Sequence, residues 1–160
     1  MKKNAKTILT PEKALARMQT LCAKSEQCSF DIAQKLKRAG LSGADIKQTI
    51  ASLTASRFID DTRYARAFAA DKVRFSHWGR RKISFALRLK KISPELIENA
   101  FEAVPESDYT KAVMAAASAK SRDMDRPFSP ADKAKIFRFL ASRGFETEYI
   151  TSALEALNQT

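Results

Sequence analysis

The sequence predicts an all-α protein, a tandem array of three three-helix repeats forming an elongated, curved molecule. One observation carries most of this. The pattern IAQKLKRAGLSGADIKQTIASL, starting at residue 32, recurs without a gap as ISFALRLKKISPELIENAFEAV from residue 83 and IFRFLASRGFETEYITSALEAL from residue 136. Apolar residues hold matched positions: Ile32, Leu36, Leu41, Ile46, Ile50 and Leu53, then Ile83, Leu87, Ile92, Ile97, Phe101 and Val104, then Ile136, Leu140, Phe145, Ile150, Leu154 and Leu157. The spacing is helical throughout and strand signals are few. Composition agrees, with only four glycines and with 44% apolar and 29% charged residues.

The elements follow from local signals. Residues 1–8 read as a disordered basic arm, and repeats are expected over 9–57, 58–105 and 106–160. Thr10-Pro11-Glu12 opens a helix carrying Leu15, Met18, Leu21 and Cys22. Lys37-Arg38-Ala39-Gly40 ends the next with basic residues and a glycine, matched by Gly144 in the third copy and replaced by Lys91 in the second. Ser42 with Asp45 resembles a capping box. Ser93-Pro94-Glu95 starts the equivalent helix with a cap, a first-turn proline and an acid. A leading helix near Asp60 carries Tyr64, Phe68 and Phe75, and another near Asp108 carries Tyr109, Val113 and Ala116. Ser121 to Pro130 reads as a loop.

A repeat of about 50 residues buries little surface alone, so neighbouring repeats are expected to pack or tether closely. No apolar run approaches the roughly 20 residues a membrane span needs. The basic start has no apolar signal core behind it, so a cytoplasmic protein is expected. Cys22 and Cys28, with His77 the only histidine, do not form a metal-ligand pattern, and Cys22 falls on an apolar helix face. No metal or cofactor is expected.

The net charge of +11 is uneven: residues 1–53 carry 10 Lys+Arg against 4 acids, 54–105 carry 11 against 6, and 106–160 carry 8 of each. The first two repeats therefore face any polyanion. Lys72 to Lys91 holds eight basic residues and no acid: Lys72, Arg74, Arg80, Arg81, Lys82, Arg88, Lys90 and Lys91, interleaved with Phe75, His77 and Trp78. Positive charge attracts phosphate and aromatic faces can stack on bases, so these eight with His77 are the contact candidates. The partner could be nucleic acid or an acidic protein groove. Trp78 reads as a core anchor, with Gly79 marking the turn between helices.

Adjacent Asp60 and Asp61 point apart on a helix and are poorly placed to share a proton or metal. They read as a helix start, with Asp60 the cap, Asp61 at the positive end of the dipole, and Ile59 stapled onto Tyr64. No nucleophile motif or phosphate loop is present, so no catalytic residue is expected. A helix-turn-helix DNA binder is the competing reading. Against it, Lys47 and Gln48 become Glu98 and Asn99 and then Thr151 and Ser152 in successive repeats, so three equivalent recognition helices are not expected.

Phe58-Ile59-Asp60-Asp61 followed by Tyr64, Ala65 and Phe68, then Gly79-Arg80-Arg81-Lys82-Ile83 and Leu87, resembles the RecX family of bacterial regulatory proteins. The three-helix repeats extend the resemblance over nearly the whole chain. Lys90-Lys91-Ile92 departs from the family's lysine, glycine and apolar residue. The tandem array is expected to be monomeric by itself. The resemblance implies a protein without catalysis of its own that binds the RecA filament on single-stranded DNA, with weak direct DNA binding. It further implies inhibition of recombinase, ATPase and coprotease activities, and thereby modulation of DNA repair, recombination and the SOS response. Phe58, Ile59, Asp60, Asp61, Tyr64, Phe68, Trp78 and Gly79 would then be structural. Charge reversal at Arg80, Arg81 and Lys82 is expected to weaken binding while the fold persists.

Overall fold

A computed structural model describes residues 9–160; the arm expected over 1–8 lies outside the described residues. The described chain is helical: α1 (Pro11–Lys24), α2 (Ser29–Arg38), α3 (Gly43–Ala55), α4 (Asp61–Arg74), α5 (Arg80–Leu89), α6 (Pro94–Glu102), α7 (Glu106–Lys120), α8 (Pro130–Ser142) and α9 (Thr147–Asn158). Three helices fall to each repeat. The chain divides into two compact units, the first ending at Tyr64 and the second being Ala65–Thr160. The helices of the third repeat thus pack in one unit with most of the second.

The matched apolar positions form the interior. In the first unit Ile32, Leu36, Leu41 and Leu53 are buried with Ala14 and Ile59, and Leu15, Met18, Leu21, Cys22, Ile46 and Ile50 pack partly buried against them. In the second unit Ile83, Leu87, Ile136, Leu140 and Phe145 are fully buried. A further repeat position joins the core without being strongly apolar: Thr49, Ala100 and Ala153 are equivalent and all buried. The Thr49 hydroxyl donates to the Asp45 carbonyl at 2.7 Å, which satisfies the buried oxygen.

Helix starts follow the sequence closely. Thr10 Oγ1 accepts from the Lys13 amide, Ser42 Oγ from Asp45, and Ser93 Oγ from Leu96. The full reciprocal capping box forms at Ser129 and Asp132, opening α8. Two expectations shift. The leading helix of the third repeat begins at Glu106, after Pro105, rather than near Asp108. Phe75 lies beyond the end of α4 and is 79% exposed, so it is not part of that helix's buried face.

The acidic pair divides its labour. Asp60 Oδ1 accepts from the Arg63 amide at 3.0 Å, capping α4 as expected. Asp61 Oδ1 instead accepts from the Ser29 amide at 2.8 Å. The N-cap of α2, Cys28, makes no side-chain cap bond, so Asp61 caps that helix from 32 residues away. Arg63 adds a second tie within the unit: its Nε meets Glu26 at 2.5 Å, and Nη2 donates to the carbonyls of Arg57 and Phe58. Bonding to Glu26 is the main reason its pKa is raised. Asp60→Ala and Asp61→Ala are each expected to cost about 1 kcal/mol, because each removes one capping acceptor. The two act on different helices but are chain neighbours, so the double variant should depart from the sum of the single losses by their coupling. Urea midpoints of the single and double variants test this, and a silent Asp61→Ala would contradict the cross-helix cap.

The departure at Lys91 is resolved in its backbone. Gly40 and Gly144 end α2 and α8 at φ +90° and +91°, and Lys91 takes the same left-handed position after α5 at φ 59°. The cap forms with a side chain present, at a steric cost. Lys91→Gly should therefore stabilise the protein by about 0.5–1 kcal/mol, the relief of strain outweighing the added freedom of the unfolded chain. A higher urea midpoint at constant slope is the expected observation.

Candidate partner-binding surface on the second repeat

Helix α5 is amphipathic. Ile83 and Leu87 point inward and are fully buried, whereas Arg81, Phe85, Arg88 and Leu89 are exposed on the other side. Its first turn holds Arg80, Arg81 and Lys82 with no acid, an arrangement the helix dipole disfavours. Carbonyls at the C-terminal end of α8 compensate: the Gly79 amide donates to Arg143 O at 2.7 Å and the Arg81 amide to Gly144 O at 3.1 Å. The Arg80 amide donates to the Tyr109 hydroxyl at 2.9 Å. These bonds need backbone against backbone. A Cβ on Gly79 would lie 2.2 Å from Gly144 C, and one on Gly144 would lie 2.4 Å from Lys82 N. Gly79 is therefore required for close approach, since its φ of −84° is open to any residue.

Arg80 differs from the other contact candidates. Its guanidinium lies 3.8 Å from the Tyr109 ring centroid and pairs with Glu106 at 3.2 Å and Glu146 at 3.4 Å. Tyr109 donates to Glu146 Oε2 at 2.5 Å, and Tyr149 donates to Glu106. Burial, followed by the bond to Glu146, pushes the Tyr109 hydroxyl pKa up and keeps it a donor. Burial alone would pull Arg80 down, but bonding to Tyr149 and the nearby Tyr109 and Glu146 outweigh it. Arg80 thus bridges α5 to α7 and α9 within the second unit, and reversing its charge cannot be expected to spare the fold.

The remaining candidates fall into groups. Trp78 is half-buried, with Lys72 Nζ 4.7 Å and Lys82 Nζ 4.4 Å from its ring, each contact contributing about 0.5–1 kcal/mol. The indole therefore gathers two ammonium groups beside the start of α5. His77 is half-buried in the α4–α5 link at φ 50°. Arg74 pairs with Asp108 at 2.8 Å. Lys90 is half-buried and Lys91 exposed. Arg81 and Arg88 are exposed, and neither has an ion-pair partner among the described residues. Phe68 and Tyr64 are half-buried and buried respectively.

Sequence reasoning missed two features. Tyr109, Tyr149, Glu106 and Glu146 gave no local sign that they would converge on Arg80. Phe85 and Leu89, 63% and 60% exposed, were legible in principle: with positions 83 and 87 inward, 85 and 89 must face out.

Fold and surface together define a helical-repeat protein whose second repeat carries a basic face with exposed apolar side chains. Residues 60–100 match the family model described as RecX, second three-helix domain. The regulatory protein RecX of Vibrio vulnificus is 31% identical over 134 residues, spanning 84% of this chain and 86% of its own length. That of Prosthecochloris aestuarii is 30% identical over 149 residues, covering 91% and 93%. The crystal structure of RecX from Lactobacillus salivarius superposes with a TM-score of 0.81 at 17% identity, covering 94% of this chain and 97% of that one. The chain belongs to the RecX family of regulatory proteins.

Proposed function

We propose that the protein binds the RecA filament on single-stranded DNA and inhibits its recombinase, ATPase and coprotease activities, acting by attachment in the cytoplasm rather than by catalysis. Through that filament it would modulate DNA repair, recombination and the SOS response. The observation that carries the reading is the coincidence of two segments. Residues 60–100, which match the family's second domain, contain α5 with its basic, acid-free first turn. Such a surface suits a filament of acidic protein surface and phosphate, and its binding should weaken as salt rises.

The test is the single-stranded-DNA-dependent ATPase of the cognate RecA with increasing amounts of this protein. Activity should fall at substoichiometric amounts. Arg81→Glu with Arg88→Glu should need about tenfold more protein for half-inhibition at low salt, a difference that narrows as screening increases. Arg80 is left intact because of its internal network. Reversal of Lys133, Lys135 and Arg138, in the neutral third repeat, should matter less. An unchanged ATPase accompanied by tight binding to naked duplex would favour a helix-turn-helix-type DNA-binding protein instead.

A further inference from the structure

We infer that α5 docks as a helix into an apolar cleft of a protein partner rimmed by carboxylates, with Phe85 and Leu89 as the anchors and Arg81 and Arg88 as the flanking charges. The inference rests on the reading of the protein as a filament regulator and specifies the chemistry of its contact: protein surface, not nucleic acid, at this face.

The exposed large apolar side chains of the described residues are Phe75, Phe85 and Leu89, and two of them share one helix face. Phe85 and Leu89 stand at i and i+4, with Arg81 one turn before Phe85 and Arg88 three residues after it. Phe85 and Leu89 form an i, i+4 apolar pair bordered by Arg81 and Arg88, the kind of face a helix lays into a groove. Isolated exposed apolar residues need no account, but an aromatic and a leucine adjoining on one face do. The fold does not need them there, because Ile83 and Leu87 already supply the inward face of α5.

Charge selects the occupant. Helix α5 carries four basic residues and no acid, and Arg81 and Arg88 have no ion-pair partner among the described residues. A basic apolar occupant is therefore disfavoured, and so is a second copy of α5 itself. A nucleic acid would satisfy the arginines, and a base could stack on Phe85. Leu89 has no flat face to offer a base, and beside a phosphate backbone it would stay in water. An apolar cleft with acidic rims satisfies all four side chains together.

Phe85→Asn with Leu89→Gln removes the anchors without touching charge, and both positions are exposed enough for the fold to survive, which circular dichroism and thermal unfolding would check. The probes are a RecA filament on oligo(dT) held with a slowly hydrolysed ATP analogue, and oligo(dT) alone. The variant should bind the filament at least tenfold more weakly at both low and high salt, yet bind oligo(dT) as the wild type does. Phe85→Leu, which keeps an apolar anchor, should recover most of the loss. Filament binding at wild-type strength in the double variant would overturn the inference while leaving filament regulation intact. Equal losses on oligo(dT) would also overturn it, by making the face a nucleic-acid site. Wild-type self-association abolished in the variant would overturn it in favour of a second copy. A wild-type protein without any effect on the filament would sink the regulatory reading, and this inference with it.

Discussion

Gly79→Ala is expected to cost about 3–5 kcal/mol of stability, because the added methyl meets backbone and because relieving the clash breaks hydrogen bonds. The new Cβ would stand 2.2 Å from Gly144 C and 2.3 Å from both Gly144 O and Phe145 N. None of these atoms belongs to a flexible side chain that could swing aside. Moving the α8–α9 turn away would stretch the 2.7 Å bond from the Gly79 amide to Arg143 O and the 3.1 Å bond from Arg81 to Gly144 O. Phe145, fully buried, would be pulled from the core by the same shift. Gly43→Ala is the control. Gly43 begins α3 with nothing within 4 Å of a Cβ, so alanine there should be neutral or slightly stabilising. Urea unfolding of both variants makes the comparison, and equal midpoints would show that the glycine contact contributes nothing.

The same contact marks where sequence reasoning stops. Helices, their order and their inward faces were legible because each depends on neighbours within a few positions: apolar period, caps and terminal glycines. The three copies reinforced one another, so a weak signal in one, such as Lys91 in place of glycine, was read through the others. Its left-handed backbone confirms that register. Periodicity alone extends the helix past its end to Phe75, whereas the Phe75 amide already closes α4 and the left-handed turn at His77 follows two residues later. Asp61 sits in the first turn of α4 as its position in sequence implies, but nothing local shows that its carboxylate also caps α2. Gly79 was read as a turn glycine, and nothing nearby in sequence reveals Gly144 pressed against it.

The surface was legible as charge but not as geometry. An acid-free stretch identifies where positive residues concentrate, yet it does not separate those that face outward from those already satisfied. Arg80 and Arg81 are neighbours in one basic run. A helix turns about 100° between them, and that rotation sends one guanidinium onto Tyr109 and leaves the other exposed. The acids that receive Arg80 come from the neutral third repeat, whose balance of charge is in part the complement of this one half-buried arginine.

Arg80→Glu is accordingly expected to destabilise the protein by about 3 kcal/mol, toward the lower end of a buried ion pair's loss because the site is partly open to water. The guanidinium side chain retains 26% of its exposure and Glu146 22%, while Glu106, at 63%, is well solvated and contributes less. Reversal would set a third carboxylate against Glu106 and Glu146 and remove the plane stacked on Tyr109. Arg80→Lys separates these causes. Lysine keeps the charge but cannot present a flat fork to two carboxylates and a ring at once, so it should recover only part of the loss. Tyr109→Phe should also destabilise, since it strands the Arg80 amide and frees Glu146 from its 2.5 Å bond. Arg80→Glu and Tyr109→Phe share partners, so the double variant should lose less than the sum of the two. The measurement is a double-mutant cycle by urea unfolding. Strict additivity, or an Arg80→Glu protein as stable as wild type, would return Arg80 to the binding surface and remove it from the network that joins α5 to α7 and α9.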